Sequence, residues 1–315
     1  MPLLGMDLGG TKLALGVFND TGKILYKESI PLENRKGREV GELIAGCFTR
    51  LAETENYGKI DSIGISVPGI YHLTTGTVWA PNIPGWDDYP LLKEIKNISK
   101  KIPVTIDSDR ACYILGESWQ GNARQCRDAI FLAVGTGIGA GILINGNVLR
   151  GAHDIAGAIG WMALKKPFID EYIQCGCFEN YASGEGIAKT ARKFLKEASN
   201  YSGQLQNKPL AKITSRDVFA AYENDDPVAI KVMQEAVEFW GMAAANLVSL
   251  FNPEKIIFGG GIFGPAVTLI PSIRTEAIKW AQPISIRKVS FESSALGNDA
   301  GVYGAGYLAL KNCQA

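Results

Sequence analysis

A chain of 315 residues with 46% apolar content is long enough for two domains, each with its own core. Lysine plus arginine equals aspartate plus glutamate at 32 each, which argues against a nucleic-acid groove as the main purpose. No apolar run approaches a membrane span, the N-terminus shows neither a basic segment nor a cleavage site, and six cysteines over this length do not suggest a disulfide framework; a reduced cytoplasmic protein is expected.

Met6–Phe18 reads as two apolar strands joined by Gly9-Gly10-Thr11. Glycines let backbone N–H groups approach a ligand closely. Thr11 and Lys12 add a hydroxyl and a cation suited to phosphate, and Asp7, just before the turn, can hold a hydrated Mg²⁺. Apolar residues at intervals of three and four predict a helix over Val40–Leu51. Ile60–Val67 reads as a strand ended by Pro68-Gly69. Tyr71–Tyr89 is rich in turn residues and aromatics and is expected to be irregular and functional, with His72 an ordinary loop histidine. A helix over Leu91–Lys100, a strand over Ile102–Ile106 and a helix over Ala111–Gln120 follow. The strand runs into Asp107-Ser108-Asp109-Arg110, which sets two carboxylates at the carboxyl end of a strand, where α/β sheets place ligands. Asp107 reads as the helix N-cap.

Ile130–Val148 repeats the opening motif. Gly135-Thr136 and Gly141 keep the spacing of Gly10-Thr11 and Gly16, and a strand and a turn follow in both cases. Two such hairpins facing one another would clamp a polyphosphate. Arg150–Met162 is another glycine-rich segment, carrying His153 and Asp154. Ser183 caps a helix to about Ala198, Thr214 with Asp217 opens a second, and Asp226-Pro227 opens a long one over Val228–Leu250, stopped by Asn252-Pro253. Lys255–Phe258 is a strand leading into Gly259-Gly260-Gly261. A helix over Pro271–Ala281, a strand near Ser285–Phe291 and a helix over Asp299–Leu310 complete the chain. Gly301, Gly304 and Gly306 in that last helix imply that the other domain or a nucleotide comes close. The expected division is a domain of residues 1–118, rejoined by 298–315, and a second of 119–297.

In this order the motifs resemble the ROK family of sugar kinases and related repressors. The matching segments are Asp7-Leu-Gly-Gly-Thr-Lys12, Ser66-Val-Pro-Gly69, Ala80-Pro-Asn-Ile-Pro-Gly-Trp86, Asp109 with Leu115-Gly-Glu117, Gly135–Gly141, Gly176-Cys-Phe-Glu179, Asn252-Pro-Glu254, Gly259-Gly-Gly261 and Leu296–Ala300. The resemblance implies an α/β, two-domain actin-like ATPase (ribonuclease H-like) fold with an interdomain cleft. It implies ATP and Mg²⁺ bound through Asp7, Gly9, Gly10, Thr11, Lys12, Gly135, Thr136, Gly137, Gly259, Gly260 and Gly261. It also implies a sugar deeper in the cleft, phosphorylated most directly at the 6-OH of a hexose, with Gly69, Asn82 and Ser108 at the sugar and Asp109 as general base. A homodimer is expected on the same ground.

The departures from the family pattern are specific. Ser108 replaces the Asn before the catalytic Asp, Ala158 the sugar-binding Glu, and Trp161 the zinc-ligating His. Asp170 and Tyr172 stand where the first two zinc cysteines would be, and only Cys177 remains of the motif; with Cys175 and His153 it makes no closed tetrahedral set, so no zinc site is expected. Trp161 either stacks on a sugar face or aglycone, or fills the space the zinc lobe left. His153 and Asp154 are candidates for replacement polar contacts. A repressor is disfavoured because the hairpin begins at residue 7, leaving no room for a helix-turn-helix domain. A non-catalytic sugar sensor is the alternative to a kinase.

Overall fold

The computed structural model describes residues 1–314. β1 (Leu3–Leu8) pairs antiparallel with β2 (Lys12–Phe18), with Leu8 opposite Leu13 and residues 9–11 as the turn. β3 (Ile24–Pro31) adds an antiparallel edge strand whose residues alternate in exposure. α1 (Arg38–Glu53) buries Val40, Ile44, Cys47, Phe48 and Leu51, the face its spacing predicts. β4 (Ser62–Val67) is buried along its whole length, as a central parallel strand covered on both faces must be. The segment expected to be irregular contains a small hairpin instead: β5 (Ile70–His72) pairs with β6 (Thr77–Trp79), and Val78 bridges to Tyr89. His72 is thus the last residue of a strand rather than a loop residue. α2 (Leu91–Ser99), β7 (Val104–Ser108) and α3 (Asp109–Gln120) follow, and the first sheet has the order β3-β2-β1-β4-β7.

β8 (Ala129–Val134), β9 (Ile138–Ile144) and β10 (Asn147–Val148) begin the second sheet. Helices α4 (Tyr172–Cys175), α5 (Cys177–Ala182), α6 (Gly184–Glu197), α7 (Ser215–Tyr222) and α8 (Pro227–Phe251) come next. The expected caps are present. Ser183 Oγ accepts from the Gly186 N–H, Thr214 and Asp217 form a capping box, and Asp226 Oδ1 accepts from the N–H groups of Val228 and Ala229. β11 (Lys255–Gly259) leads to α9 (Ile270–Ile278), α10 (Ser285–Lys288), β12 (Ser290–Ser293) and α11 (Ala300–Gln314); the second sheet has the order β10-β9-β8-β11-β12. The strand expected over Ser285–Phe291 is therefore half helical turn. Gln282 Oε1 accepts from the N–H groups of Ile284 and Ser285 and nucleates that turn, so pairing begins only at Ser290.

The chain divides into two compact units. The first comprises residues 1–127, 141–157 and 294–315, the second residues 128–140 and 158–293. Among the described residues no helix is long and apolar enough to cross a membrane.

The first unit is held by contact of α11 with β1, β4 and α3. A β-carbon on Gly64 of β4 would lie 1.9 Å from the carbonyl oxygen of Ala305, and one on Gly304 would lie 1.9 Å from that of Cys112. Gly116 of α3 meets the Ala300 carbonyl in the same way, at 2.3 Å. The protein neighbours of these helix glycines all lie in the first unit. They let backbone pack on backbone inside one unit. Gly304→Ala is expected to cost about 1–3 kcal/mol in urea unfolding, the usual range for overpacking. Gly46, in the middle of α1 with nothing within 4 Å of its β-carbon position, is the control. There Gly46→Ala should stabilise by about 0.5–1 kcal/mol through helix propensity.

Candidate functional site

In the first unit the parallel register of β1, β4 and β7 sets Asp7 beside Ser66 and Ser66 beside Asp107, a polar row near the carboxyl ends of three strands. Ser66 Oγ donates to Asp7 Oδ1 at 2.5 Å. Asp7 also abuts the first turn of α11, where a β-carbon on Gly301 would lie 2.3 Å from Asp7 Oδ2. A helix N-terminus favours a negative group there. Burial pushes the Asp7 carboxyl above its ordinary value, against the pull of Ser66 and Lys12.

The two aspartates of the strand-to-helix junction have different fates. Asp107 is not the N-cap. Ser108 is, its Oγ accepting from the Ala111 N–H at 3.3 Å. Asp107 instead receives both terminal guanidinium nitrogens of Arg150 and the Ser108 N–H, and is 2% exposed. Burial raises its carboxyl, and Arg150 opposes that. The ion pair ties the segment 150–157 to the end of β7. In that segment Asp154 Oδ2 accepts from the Leu73 N–H at 3.1 Å, while His153 is exposed.

Asp109 opens α3, with Oδ1 accepting from the Arg110 N–H at 2.8 Å. Its carboxyl is pushed up to about 6, mainly by burial, with the Arg110 charge lowering it and the Asp7 charge raising it. The residue keeps part of its surface exposed, which leaves a face for a ligand. Arg110 also donates to the Gly69 carbonyl at 3.1 Å. Gly69 has φ 92°, and a β-carbon there would strike the Trp79 carbonyl oxygen at 2.2 Å. Asn82 stands over the hairpin turn, its Cβ 3.6 Å from the β-carbon position of Gly10. The first unit thus gathers Asp7, Gly9, Gly10, Thr11, Lys12, Gly69, Asn82, Ser108 and Asp109 at one end of its sheet. Arg110 was not singled out in the sequence, although a cation next to Asp109 was visible there.

Glu117, of the Leu115-Gly-Glu117 segment, is fully buried and structural. Its carboxylate accepts from Ser294 Oγ, the Leu296 N–H and the Asn122 N–H, which fastens the end of α3 to the segment preceding α11.

In the second unit the β8–β9 hairpin leaves Thr136 and Gly137 exposed at its tip, and the Gly184 N–H donates to the Gly135 carbonyl at 2.8 Å. Of the three glycines at the end of β11 and just beyond it, Gly259 packs against the Phe131 ring, Gly260 turns the chain at φ 87°, and Gly261 faces open space. Glu179 was overlooked as a site residue. Its Oε2 accepts from the Ile138 N–H at 2.6 Å and lies beneath the hairpin tip, and burial raises its carboxyl. Trp161 is 57% exposed and borders a cavity, so it does not fill the space it stands in.

Two observations bear on ATP and Mg²⁺. The N–H groups of Gly10 and Thr11 are at an exposed tip and meet no acceptor among the described residues, which suits phosphate oxygens. Asp7 and Asp109 repel one another, and a divalent cation at Asp7 would offset both charges. Mg²⁺ commonly takes only one or two carboxylates and keeps several waters. Among the described residues no three His, Cys, Asp or Glu side chains gather as a metal cage.

The family model described as "ROK family" matches residues 3–312. The chain is 34% identical over 312 residues to a glucokinase of Halalkalibacterium halodurans, covering 97% of this chain and 94% of that one. It is 30% identical over 308 residues to a β-glucoside kinase of Listeria innocua, covering 98% and 97%. A ROK family glucokinase from Streptomyces griseus, solved in complex with glucose and AMPPNP, superposes with a TM-score of 0.80 at 26% identity, covering 99% of this chain and 100% of that one.

The Asp109 carboxyl should titrate near pH 6, charged above that midpoint and neutral below it. Asp7→Asn removes a like charge and should lower the midpoint, while Arg110→Ala removes a favourable cation and should raise it. Carboxyl-carbon NMR of labelled aspartate reads both shifts, and an ordinary carboxylate midpoint in the wild type would overturn the assignment.

Proposed function

The chain belongs to the ROK family, and on that premise we propose that it is a sugar kinase, transferring the γ-phosphoryl group of ATP to a hydroxyl of a hexose or hexose derivative, most directly the 6-OH. The observation that carries this reading is Asp109. It is a carboxylate at a strand-to-helix junction, raised to about 6, in the same unit as a glycine turn with open N–H groups and Lys12. At neutral pH it is ionised yet more basic than an ordinary carboxylate, as a general base aligning an attacking hydroxyl requires.

The residues take separate tasks. Asp109 accepts the hydroxyl proton. Arg110 holds the Gly69 carbonyl and keeps Asp109 from rising further. Lys12 and the N–H groups of Gly10 and Thr11 receive phosphate oxygens in the first unit, and in the second unit the exposed Thr136 and Gly137 and the open Gly261 are the residues suited to phosphate. Asp7 would hold Mg²⁺ through its waters. Bound MgATP supplies the transferable phosphoryl group and the charge that offsets its oxygens. Relatives that carry the names glucokinase and β-glucoside kinase support the substrate class.

Asp109→Asn should lower kcat by at least about 10²-fold, the usual worth of a positioned base, with nucleotide binding retained. A coupled ADP-release assay with calorimetry of the nucleotide checks it. Sugar binding without turnover in the wild type would point to a sensor instead. Ala158 offers no acceptor to sugar hydroxyls, and each unpaired buried hydroxyl costs about 1–3 kcal/mol. Free glucose should therefore be a poorer substrate than a sugar lacking or masking those hydroxyls. Ala158→Glu should improve glucose and harm the preferred substrate. If glucose heads a panel of hexoses, amino sugars and glycosides in kcat/KM, that reading of the pocket fails.

A further inference from the structure

Two arginines stand near the carboxyl end of the first unit's sheet, and they are matched differently. Arg150 gives both terminal guanidinium nitrogens to Asp107. Arg110, the second residue of α3, is half-buried, and its side chain donates to a neutral group, the Gly69 carbonyl, at 3.1 Å. The acids beside it in sequence are committed elsewhere. Asp107 is held by Arg150, and Asp109 Oδ1 accepts from the Arg110 main-chain N–H. Among the described residues no carboxylate pairs with the Arg110 side chain. A partly desolvated cation on a neutral partner is the costly half of an ion pair, and the described residues do not supply the other half. A guanidinium is a planar fork suited to a carboxylate or a phosphate, and one nitrogen engaged by Gly69 leaves the rest of the fork for a second partner.

Two kinds of anion come near such a site: the phosphates of the nucleotide and a charged group on the acceptor. The neighbours of Asp109 separate them. Its carboxyl is raised mainly by burial, lowered by the Arg110 charge and raised by the Asp7 charge. At Asp7 burial raises the carboxyl, Ser66 lowers it, and the cation that acts is Lys12. Asp109 is thus flanked by two sets of groups: Asp7 with Lys12 and the phosphate turn, and Arg110 with Gly69. The residue after Gly69 opens β5, so the guanidinium points to the start of the β5–β6 hairpin and not to the phosphate turn. It is also held in place. A β-carbon on Gly141 would lie 2.0 Å from the Arg110 carbonyl oxygen, and one on Gly69 would lie 2.2 Å from that of Trp79, so main chain packs closely at both ends of the side chain. A cation fixed before its ligand arrives loses little freedom on binding. We propose that the sugar accepted by this site carries an anionic group, a carboxylate or a phosphate apart from the reacting hydroxyl, and that Arg110 binds it; the inference rests on the kinase reading above and narrows its substrate class. The transfer itself is unchanged: the hydroxyl gives its proton to Asp109, its oxygen bonds to the γ-phosphorus, and ADP departs.

The test compares matched acceptors of the full chain that share a free 6-OH. N-acetylmuramic acid against N-acetylglucosamine probes a carboxylate, and α-glucose 1-phosphate against methyl α-glucoside probes a phosphate. The wild type should favour the anionic member of at least one pair in kcat/KM by about tenfold or more, the scale of a charge-assisted hydrogen bond, and that pair identifies the anion. Arg110→Gln keeps an amide donor for the Gly69 carbonyl but loses the charge, and should bring the ratio to about one or below. Arg110→Lys keeps the charge without the fork, and should retain only part of the ratio. If the glutamine variant does not fold, the lysine variant carries the test. A wild type that turns over the neutral members as well as or better than the anionic ones overturns the inference and leaves the kinase reading standing. So does a variant in which both members of the preferred pair fall by the same factor, since Arg110 then only supports Gly69. If no acceptor turns over, the kinase reading has failed, and calorimetric binding of the same pairs decides the arginine. Tighter binding of an anionic member, lost in Arg110→Gln, upholds its role, and equal binding within both pairs overturns it.

Discussion

The backbone-to-backbone approach of α11 to β4 and α3 is the constraint on which the first unit depends. Glycines at 64, 116 and 304 remove the side chains that would hold these elements apart. Close packing of this kind brings the N-terminus of α11 onto Asp7 and sets the segment before it within reach of the buried Glu117. The geometry at the carboxyl ends of β1, β4 and β7 is thus fixed from behind, by a helix drawn from the far end of the sequence. Small displacements of α11 would be felt at Asp7 directly, because the contact is with main chain and has no flexible side chain to absorb them.

Three aspartates lie near that end of the sheet, and the protein treats each differently. Asp107 is neutralised by a bidentate guanidinium, an arrangement in which the desolvation of both ions is offset by paired hydrogen bonds. Asp7 is stabilised by a hydroxyl and a helix end without a full ion pair. Asp109 has an arginine neighbour whose side chain is directed to the Gly69 carbonyl, and burial raises its proton affinity although the Arg110 charge lowers it. Pairing Asp107 keeps its charge from adding to the other two. Adjacent carboxylates in different surroundings are a common basis for dividing chemical roles.

Both hairpins were legible in the sequence because the signal is local: apolar runs on either side of a glycine turn with a threonine. The helix caps at Ser183, Thr214 and Asp226 were legible for the same reason. The edge strand β3 was not, since Lys27, Glu28 and Ser29 dilute its apolar alternation, and nothing in the segment shows the neighbour that orders it. The role of Asp107 was misread because its partner lies 43 residues away, and a carboxylate before a helix looks like a cap until that partner is known. The glycines of α11 announced a close approach, but the partner was non-local and proved to be the helix's own unit. Glu179 lay inside a recognised motif, yet its hydrogen bond to the Ile138 N–H depends on a chain crossing that no local pattern encodes.

The interrupted make-up of the first unit bears on how the chain is synthesised. Its sheet strands β1, β2, β3, β4 and β7 leave the ribosome early, while Arg150 follows later and α11 later still. Until α11 arrives, one face of β1 and β4 lacks its cover, and until Arg150 arrives, Asp107 lacks its counter-ion. The second unit, apart from a short opening piece, is continuous over 158–293 and is complete before α11 is made. Vectorial synthesis therefore leaves the half that carries Asp109 as an open, chaperone-accessible intermediate while the half translated later can already close.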